Sequence, residues 1–296
     1  MSPGRAERGP EWLLIDGSSL IFRAYYGVPQ SVRSPDGRPV NAVRGFLDLL
    51  ARLIAERRPR RVLVARDDDW RPAFRVELIP SYKAHRVAEP IPPGLAPQMP
   101  VVMEILDALG LPSVGMAGFE AEDVIASVLA RVTGPVEIVS GDRDLFALIR
   151  DPDVKVLYPE GKGQFRVFDE AEVGRRYGIP GRAYADFAIL RGDPSDGLPG
   201  LPGVGDRKAA DLVRTHGGLT GLVATGILAP TQVEYLARAT RVVVPESGLP
   251  LPELGDRILS WPTDDGPIHE MESLYGLGGP LGRLRAAIDT TSGTSS

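Results

Sequence analysis

Three apolar runs in the first half of the chain stop abruptly at aspartate, and this constrains the fold more than any other feature. Trp12-Leu13-Leu14-Ile15 ends at Asp16-Gly17, and Arg61-Val62-Leu63-Val64-Ala65-Arg66 ends at Asp67-Asp68-Asp69. Val136-Glu137-Ile138-Val139-Ser140 ends at Gly141-Asp142-Arg143-Asp144. Short runs of this kind, closed by turn formers, read as buried strands. Between them the apolar spacing is helical. Ser18 or Ser19 caps a helix carrying Leu20, Ile21 and Tyr25, and Ala42 to Glu56 puts Val43, Phe46, Leu47, Leu50 and Leu53 on one face. Further helices are expected over Val101 to Leu109 and Phe119 to Val132, with a short strand between them near Pro112 to Val114. Strand alternating with helix predicts an α/β fold around a parallel sheet.

In a parallel sheet every strand ends at the same edge, where open α/β folds place their sites. Asp16, Asp67, Asp142 and Asp144 are therefore expected to meet. Glu120, Glu122 and Asp123 open the helix before the third run, and positions 120 and 123 share a helix face. Asp193 and Asp196, in Gly-Asp-Pro-Ser-Asp, stand in a loop between helices. Taken singly, such residues are turn formers, or acids that suit a helix N-terminus. Taken together, they would repel one another strongly: a pair at about 4 Å costs roughly 4 kcal/mol at an effective dielectric of 20. Cations must fill such a group. Oxygen ligands without His or Cys suit Mg²⁺ or Mn²⁺, and paired hard cations act on phosphate esters by activating water and stabilising the leaving oxygen.

Composition narrows the alternatives. The chain has no cysteine, which excludes disulfides, thiolate catalysis and Cys-ligated zinc. Its three histidines, His85, His216 and His269, are far apart, against a His-based zinc site. No apolar stretch approaches the length of a membrane span and no signal peptide is legible, so a cytoplasmic protein with no membrane partner is expected. The formal charge of −5 does not exclude a polyanionic partner, because bound divalent cations reverse a local carboxylate field.

Two segments supply positive charge. From Trp70 to about Pro100 the sequence is rich in Pro and basic residues, including Arg71, Arg75, Lys83 and Arg86, and Tyr82 beside two cations suits stacking and phosphate clamping. Leu198-Pro199-Gly200-Leu201-Pro202-Gly203-Val204-Gly205-Asp206-Arg207-Lys208 reads as a helix-hairpin-helix. Its free N–H groups and Arg207 and Lys208 would hold a phosphate without reading base sequence. Val154 to Tyr158 and Gln164 to Phe168 form a hairpin around Gly161-Lys162-Gly163, and beyond Asp169 the pattern is almost wholly helical to about Asp289. The expected division is an α/β part at 10–178, a helical part at 179–289 with the hairpin at about 193–217, and a disordered tail at 290–296.

In order, Leu14-Ile15-Asp16-Gly17-Ser18, Phe74-Arg75 with Tyr82-Lys83-Ala84-His85-Arg86, Glu120-Ala121-Glu122-Asp123, Ser140-Gly141-Asp142-Arg143-Asp144 and Gly192-Asp193-Pro194-Ser195-Asp196-Gly197-Leu198-Pro199-Gly200 resemble the bacterial 5′ nuclease and flap endonuclease family. That family includes the 5′-nuclease domain of DNA polymerase I. The resemblance implies a PIN-like α/β fold with a helical arch or clamp at about 70–100 and a C-terminal helix-hairpin-helix. It implies that Asp16, Asp67, Glu120, Glu122, Asp123, Asp142, Asp144, Asp193 and Asp196 are catalytic metal-site carboxylates for two or three Mg²⁺ or Mn²⁺ ions. It assigns Lys83 and Arg86 to the scissile phosphate, Arg75 to DNA contact, Tyr82 to stacking on the terminal base, and Gly203, Val204 and Gly205 to a hairpin that can hold K⁺. The implied substrate is branched or nicked double-stranded DNA with a 5′ flap or 5′ end. A stand-alone, monomeric nuclease is expected.

The sequence departs from the family twice. The second aspartate follows Ala65-Arg66 where an aromatic is usual, which leaves Asp68 as an alternative to Asp67. The motif Ser-Asp-Asn reads Ser195-Asp196-Gly197, losing an amide that could order the loop. Competing readings are a phosphatase using Asp67-Asp68-Asp69 as an Asp-x-Asp nucleophile, a PIN-type ribonuclease, and a non-catalytic DNA-binding protein built on the hairpin.

Overall fold

A computed structural model describes residues 9–88 and 91–293. Its centre is a six-stranded sheet of β1 (Trp12–Asp16), β2 (Arg61–Ala65), β3 (Ser113–Val114), β4 (Val136–Val139), β5 (Val154–Pro159) and β6 (Phe165–Phe168), in the order β3-β2-β1-β4-β5-β6. All pairs are parallel except the β5–β6 hairpin. The strand order reverses between β1 and β4, so the crevice at their C-terminal ends is the topological switch point where open α/β sheets bind ligands.

The apolar runs are continuous because both faces of the sheet are covered. Trp12, Leu14, Leu63, Ala65, Val136 and Ile138 point into one core, and Leu13, Ile15, Val62, Val64 and Val139 into the other. The second core is closed by α1 (Gly17–Gly27) and α2 (Asn41–Arg57), which form the β1–β2 crossover as the spacing predicts.

Between β2 and β3 the expected arch segment contains two short helices, α3 (Ala73–Leu78) and α4 (His85–Ala88), followed by α5 (Gln98–Ala108). Its basic residues explain the shape: they turn down onto the start of α6 (Ala121–Leu129), the helix joining β3 to β4.

After β6 come α7 (Glu170–Tyr177), α8 (Tyr184–Arg191), α9 (Asp206–His216), α10 (Leu219–Ala224), α11 (Pro230–Val243), α12 (Gly266–Tyr275) and α13 (Gly278–Ser292). Tyr184, Phe187 and Ile189 of α8 and Val213 of α9 share the first core with the sheet. Leu281, Leu284 and Ile288 of α13 share the second with α2. The helical half thus returns to both faces of the α/β half.

Two expectations need correction. Residues 244–265 form no helix, because Pro245, Pro250, Pro252 and Pro262 remove backbone donors at short intervals. Nor does the tail fray at 290. Helix α13 runs through Ser292, Thr291 is buried, and Ser292 Oγ donates to the Leu259 carbonyl at 3.0 Å. Residues 294–296 of the expected tail lie outside the described residues.

Candidate active site

The β1 aspartate serves two elements at once. Asp16 Oδ1 accepts from the Ser19 amide at 3.0 Å, capping α1, and its Oδ2 accepts from Ser140 Oγ at 2.6 Å across the switch point. The same region is tied by Gly141 N donating to Ser19 Oγ at 2.9 Å and Asp142 N donating to Ser140 Oγ at 2.9 Å. Asp142 Oδ1 in turn accepts from the Asp144 amide at 2.9 Å. After β2, Asp67 Oδ1 accepts from the Ala121 amide at 2.6 Å, at the start of α6. Asp68 instead lies over Gly115 and pairs with Arg66 at 3.7 Å, and Asp69 accepts from the Arg71 amide. Asp67 is therefore the residue of the triplet that reaches the cleft.

That cleft, about 510 Å³, is lined by Asp16, Asp67, Glu120, Glu122, Asp142, Asp144, Asp193 and Asp196, with Lys83 and Arg86 at the same wall. Eight of the nine singled-out carboxylates are brought together. Sequence reasoning missed Phe22, Trp70 and Arg143, which also line it. Phe22 stands one helical turn after Ser19, and Arg143 lies between two expected aspartates, so a closer reading of α1 and of the loop after β4 had a signal for both.

The field in the cleft is strongly negative. Burial, with Asp67 next, pushes the Asp16 carboxyl up to about 7. Burial also raises Asp67, and it raises Glu122 and Asp144 well above the carboxylate range. Burial lifts Asp196 to about 6, against the pull of Lys83. Glu120 is the exception. Burial alone would raise it, but Lys83 and Arg75 together outweigh burial and lower it.

Lys83 Nζ donates to Glu120 Oε1 at 2.6 Å, Tyr82 OH donates to Oε2 at 2.6 Å, and Arg86 approaches Oε1 at 3.4 Å. Arg75 pairs with Glu120, with Glu122 Oε1 at 2.7 Å and with Asp123 Oδ1 at 2.7 Å. Among the described residues no three acidic or histidine side chains yet stand at metal-ligand spacing. Lys83 and Arg75 hold the two glutamates.

Three of the residues expected to act in the site are buried. Arg75 is 0% exposed and is the internal countercharge of the acidic helix start. Tyr82 is 2% exposed with its hydroxyl on Glu120, so its ring is covered in this arrangement. Asp123, also 0% exposed, stands behind the cleft and not in its wall. It completes a capping box in which its Oδ2 accepts from the Glu120 amide at 3.1 Å.

On the far side, Asp193 accepts from Arg191 at 2.9 Å, from the Ser195 amide at 3.0 Å and from the Ser195 hydroxyl. Lys83 N donates to the Asp196 carbonyl at 2.9 Å and Ser81 Oγ to the Gly197 carbonyl at 2.6 Å, which docks the basic segment on this loop. Gly197 has φ +71°, and a Cβ there would overlap the Ser81 carbonyl oxygen. Close backbone contact orders the loop where the family pattern has an amide. The hairpin between α8 and α9 is open to solvent: Gly203 (φ +72°), Gly205, Arg207 and Lys208 are exposed, while Val204, Ala209 and Val213 anchor it in the core.

A family model described as the 5′-3′ exonuclease N-terminal resolvase-like domain matches residues 11–178, more than half of the chain. The chain belongs to the 5′-3′ exonuclease family. It is 50% identical to a 5′-3′ exonuclease of Streptomyces coelicolor, covering 92% of this chain and 98% of that protein. It is 44% identical to a 5′-3′ exonuclease of Mycobacterium tuberculosis, covering 95% and 98%. DNA polymerase I of Mycobacterium bovis is 40% identical over 75% of this chain and 25% of the polymerase. Among solved structures, bacteriophage T5 flap endonuclease in a complex with DNA and metal ions superposes with a TM-score of 0.61 at 15% identity, over 95% and 99% of the two chains. The catalytic core of Rad2 gives a TM-score of 0.57 at 16% identity, over 96% and 93%. The fold is the PIN-like fold expected of this family.

Proposed function

We propose that this 5′-3′ exonuclease family member is a structure-specific nuclease that hydrolyses DNA phosphodiester bonds at 5′ flaps and 5′ ends, using divalent cations held by its cleft carboxylates. The observation that carries this reading is the convergence of eight carboxylates from five separate chain segments in one cleft, with several of their pKa values raised. A cleft in which burial makes so many carboxylates costly to ionise fits a site that takes up cations, and an all-oxygen donor set fits Mg²⁺ or Mn²⁺, two or three ions, better than zinc. Such ions would activate a water and stabilise the leaving oxygen.

The protein's own groups orient the substrate. Asp16, Asp67, Glu120, Glu122, Asp142, Asp144, Asp193 and Asp196 offer the oxygen donors, Ser140 and the amides of Ser19, Ala121 and Asp144 fix carboxylate directions, and Lys83 and Arg86 stand at the wall where a scissile phosphate would lie. A phosphate entering the cleft can take Lys83 from Glu120, freeing a carboxylate as it arrives. The turn at Gly203-Val204-Gly205, with its glycines exposed, and Arg207 and Lys208 would grip the duplex backbone, with K⁺ between its carbonyls and a phosphate. We further infer a monomer acting in the cytoplasm, with residues 10–178 catalytic and 179–289 gripping DNA. Among the described residues no helix is long and apolar enough to cross a membrane.

End-labelled 5′-flap, nicked and single-stranded DNA, and RNA of the same sequence, incubated with Mg²⁺, Mn²⁺ or EDTA, test the reading. Cleavage near the flap junction with either metal and none in EDTA is expected. Preferred cleavage of the RNA would assign a ribonuclease, and metal-insensitive binding without products would assign a binding module.

A further inference from the structure

One face of α6 carries a ladder that the cleft does not use. Asp123, Ser127 and Arg131 follow one another at intervals of four and so share a face of the helix and its C-terminal turn. Each bonds to the main chain of the segment 246–251, which is flanked by Pro245 and Pro252 and follows α11. Asp123 Oδ1 accepts from the Glu246 amide at 2.9 Å, Ser127 Oγ donates to the Glu246 carbonyl at 3.0 Å, and the Leu249 amide donates to Ser127 Oγ at 3.2 Å. Arg131 donates to the carbonyls of Leu251, at 2.9 Å, and of Leu249. The side chains of Leu249 and Leu251 are sealed into the first core beside them. This segment is a strap fastened along the helix.

The top rung is shared with the site. The same Oδ1 of Asp123 that accepts from Glu246 also accepts from Arg75, and Arg75 in turn reaches Glu120 and Glu122 in the cleft wall. With Oδ2 taken by the Glu120 amide, both Asp123 oxygens are engaged by protein donors and the group is fully buried. We propose that Asp123 is a positioning residue that ties the 246–251 strap to the Arg75–Glu120–Glu122 cluster, so that the C-terminal half sets the orientation of two cleft carboxylates. This rests on the nuclease reading above and assigns Asp123 a place outside the ligand set. Three protein donors already occupy most of the roughly four acceptor sites of this carboxylate, whereas a guanidinium seated against two glutamates fixes where their remaining oxygens point.

The test uses the full-length protein and its Asp123→Asn, Ser127→Ala, Glu122→Gln and Asp16→Asn variants. Bound Mn²⁺ is counted by electron paramagnetic resonance, kcat and KM are measured on a labelled 5′-flap duplex, and the strap is probed by limited proteolysis. Asp123→Asn is expected to bind as many Mn²⁺ ions as the parent, with kcat lower by about 10- to 100-fold, the range for a group that orients a ligand, and with KM unchanged. Ser127→Ala touches no carboxylate. It is expected to speed proteolysis of the strap and to lower kcat by a smaller factor, also without moving KM. Glu122→Gln is expected to lose bound Mn²⁺. The proposal is overturned if Asp123→Asn loses an ion as Glu122→Gln does, or if Ser127→Ala loosens the strap and leaves kcat at the parent value. Retention of the full Mn²⁺ complement by both Asp16→Asn and Glu122→Gln would overturn the underlying metal-site reading instead, a result the other variants do not produce.

Discussion

The basic segment before β3 and the hairpin before α9 both carry arginine and lysine suited to a polyanion, yet they end in opposite environments. Arg75 and Lys83 are drawn into the protein onto Glu120, Glu122 and Asp123, whereas Arg207 and Lys208 stand in solvent on the N-terminal turn of α9. The difference lies in the countercharge. Where the fold brings a carboxylate cluster within reach, a cation pairs internally and loses its freedom to search for a phosphate; where it does not, the cation stays available and weakly held. The first region should therefore respond to mutation in stability and turnover, the second in DNA affinity.

The largest expected effect is at Arg75. Arg75→Met leaves three carboxylates without their shared partner, and breaking a buried pair costs about 3–5 kcal/mol, measurable as a lower midpoint of urea unfolding at unchanged slope. A midpoint within error of the parent would mean that the cluster is not held by this guanidinium. Next comes Lys83→Ala, expected to lower kcat on a 5′-flap duplex by about 10²–10³-fold, the loss typical of one transition-state donor, with little change in KM. If KM rises instead while kcat holds, Lys83 behaves like the hairpin cations and the contrast between the regions collapses.

A pH series sharpens the electrostatic side. Asp16 and Asp196 have folded-state pKa values raised to about 7 and about 6 by burial, above their ordinary value near 3.8. Their contribution to stability is thus fully present below the ordinary value and is lost as pH rises through the folded one. In EDTA, stability should fall by a few kcal/mol between pH 4 and 7 (pH values set by those two groups), and Mg²⁺ at pH 7 should restore it. A metal-free protein that grows steadily more stable over this window would contradict the crowding of like charges in the cleft. The smallest effect is at the hairpin. Arg207→Ala and Lys208→Ala should each change stability by no more than about 0.5 kcal/mol, while weakening duplex binding and lowering the slope of log affinity against log salt by about one per contact.

Most of this contrast was hidden from the sequence for an understandable reason. The strand ends were legible because buried strands on a two-sided sheet must be apolar throughout, so Asp16, Asp67 and Asp142 marked where each left the core. The β5–β6 hairpin and the open turn at Gly203-Val204-Gly205 were legible from glycine placement. Pairings across long separations were not. Arg75 and Asp123 are 48 positions apart, and nothing local in Phe74-Arg75 distinguishes a buried guanidinium from one that meets DNA. Asp123 did carry a signal: an acid three residues after Glu120 is the spacing of a capping box, which uses up the second carboxylate in the helix start. The proline spacing of 245–262 likewise announced an extended strap, although its anchorage along α6 needed the fold to be seen.

Crystals soaked in Mn²⁺ and measured at the manganese absorption edge test the central claim most directly. Anomalous density in the cleft bounded by Asp16, Asp142 and Asp193, with Glu122 or Glu120 turned toward it and Asp123 still bonded to Arg75, is the predicted result. A cleft without anomalous density under saturating Mn²⁺, its carboxylates still apart, would contradict it.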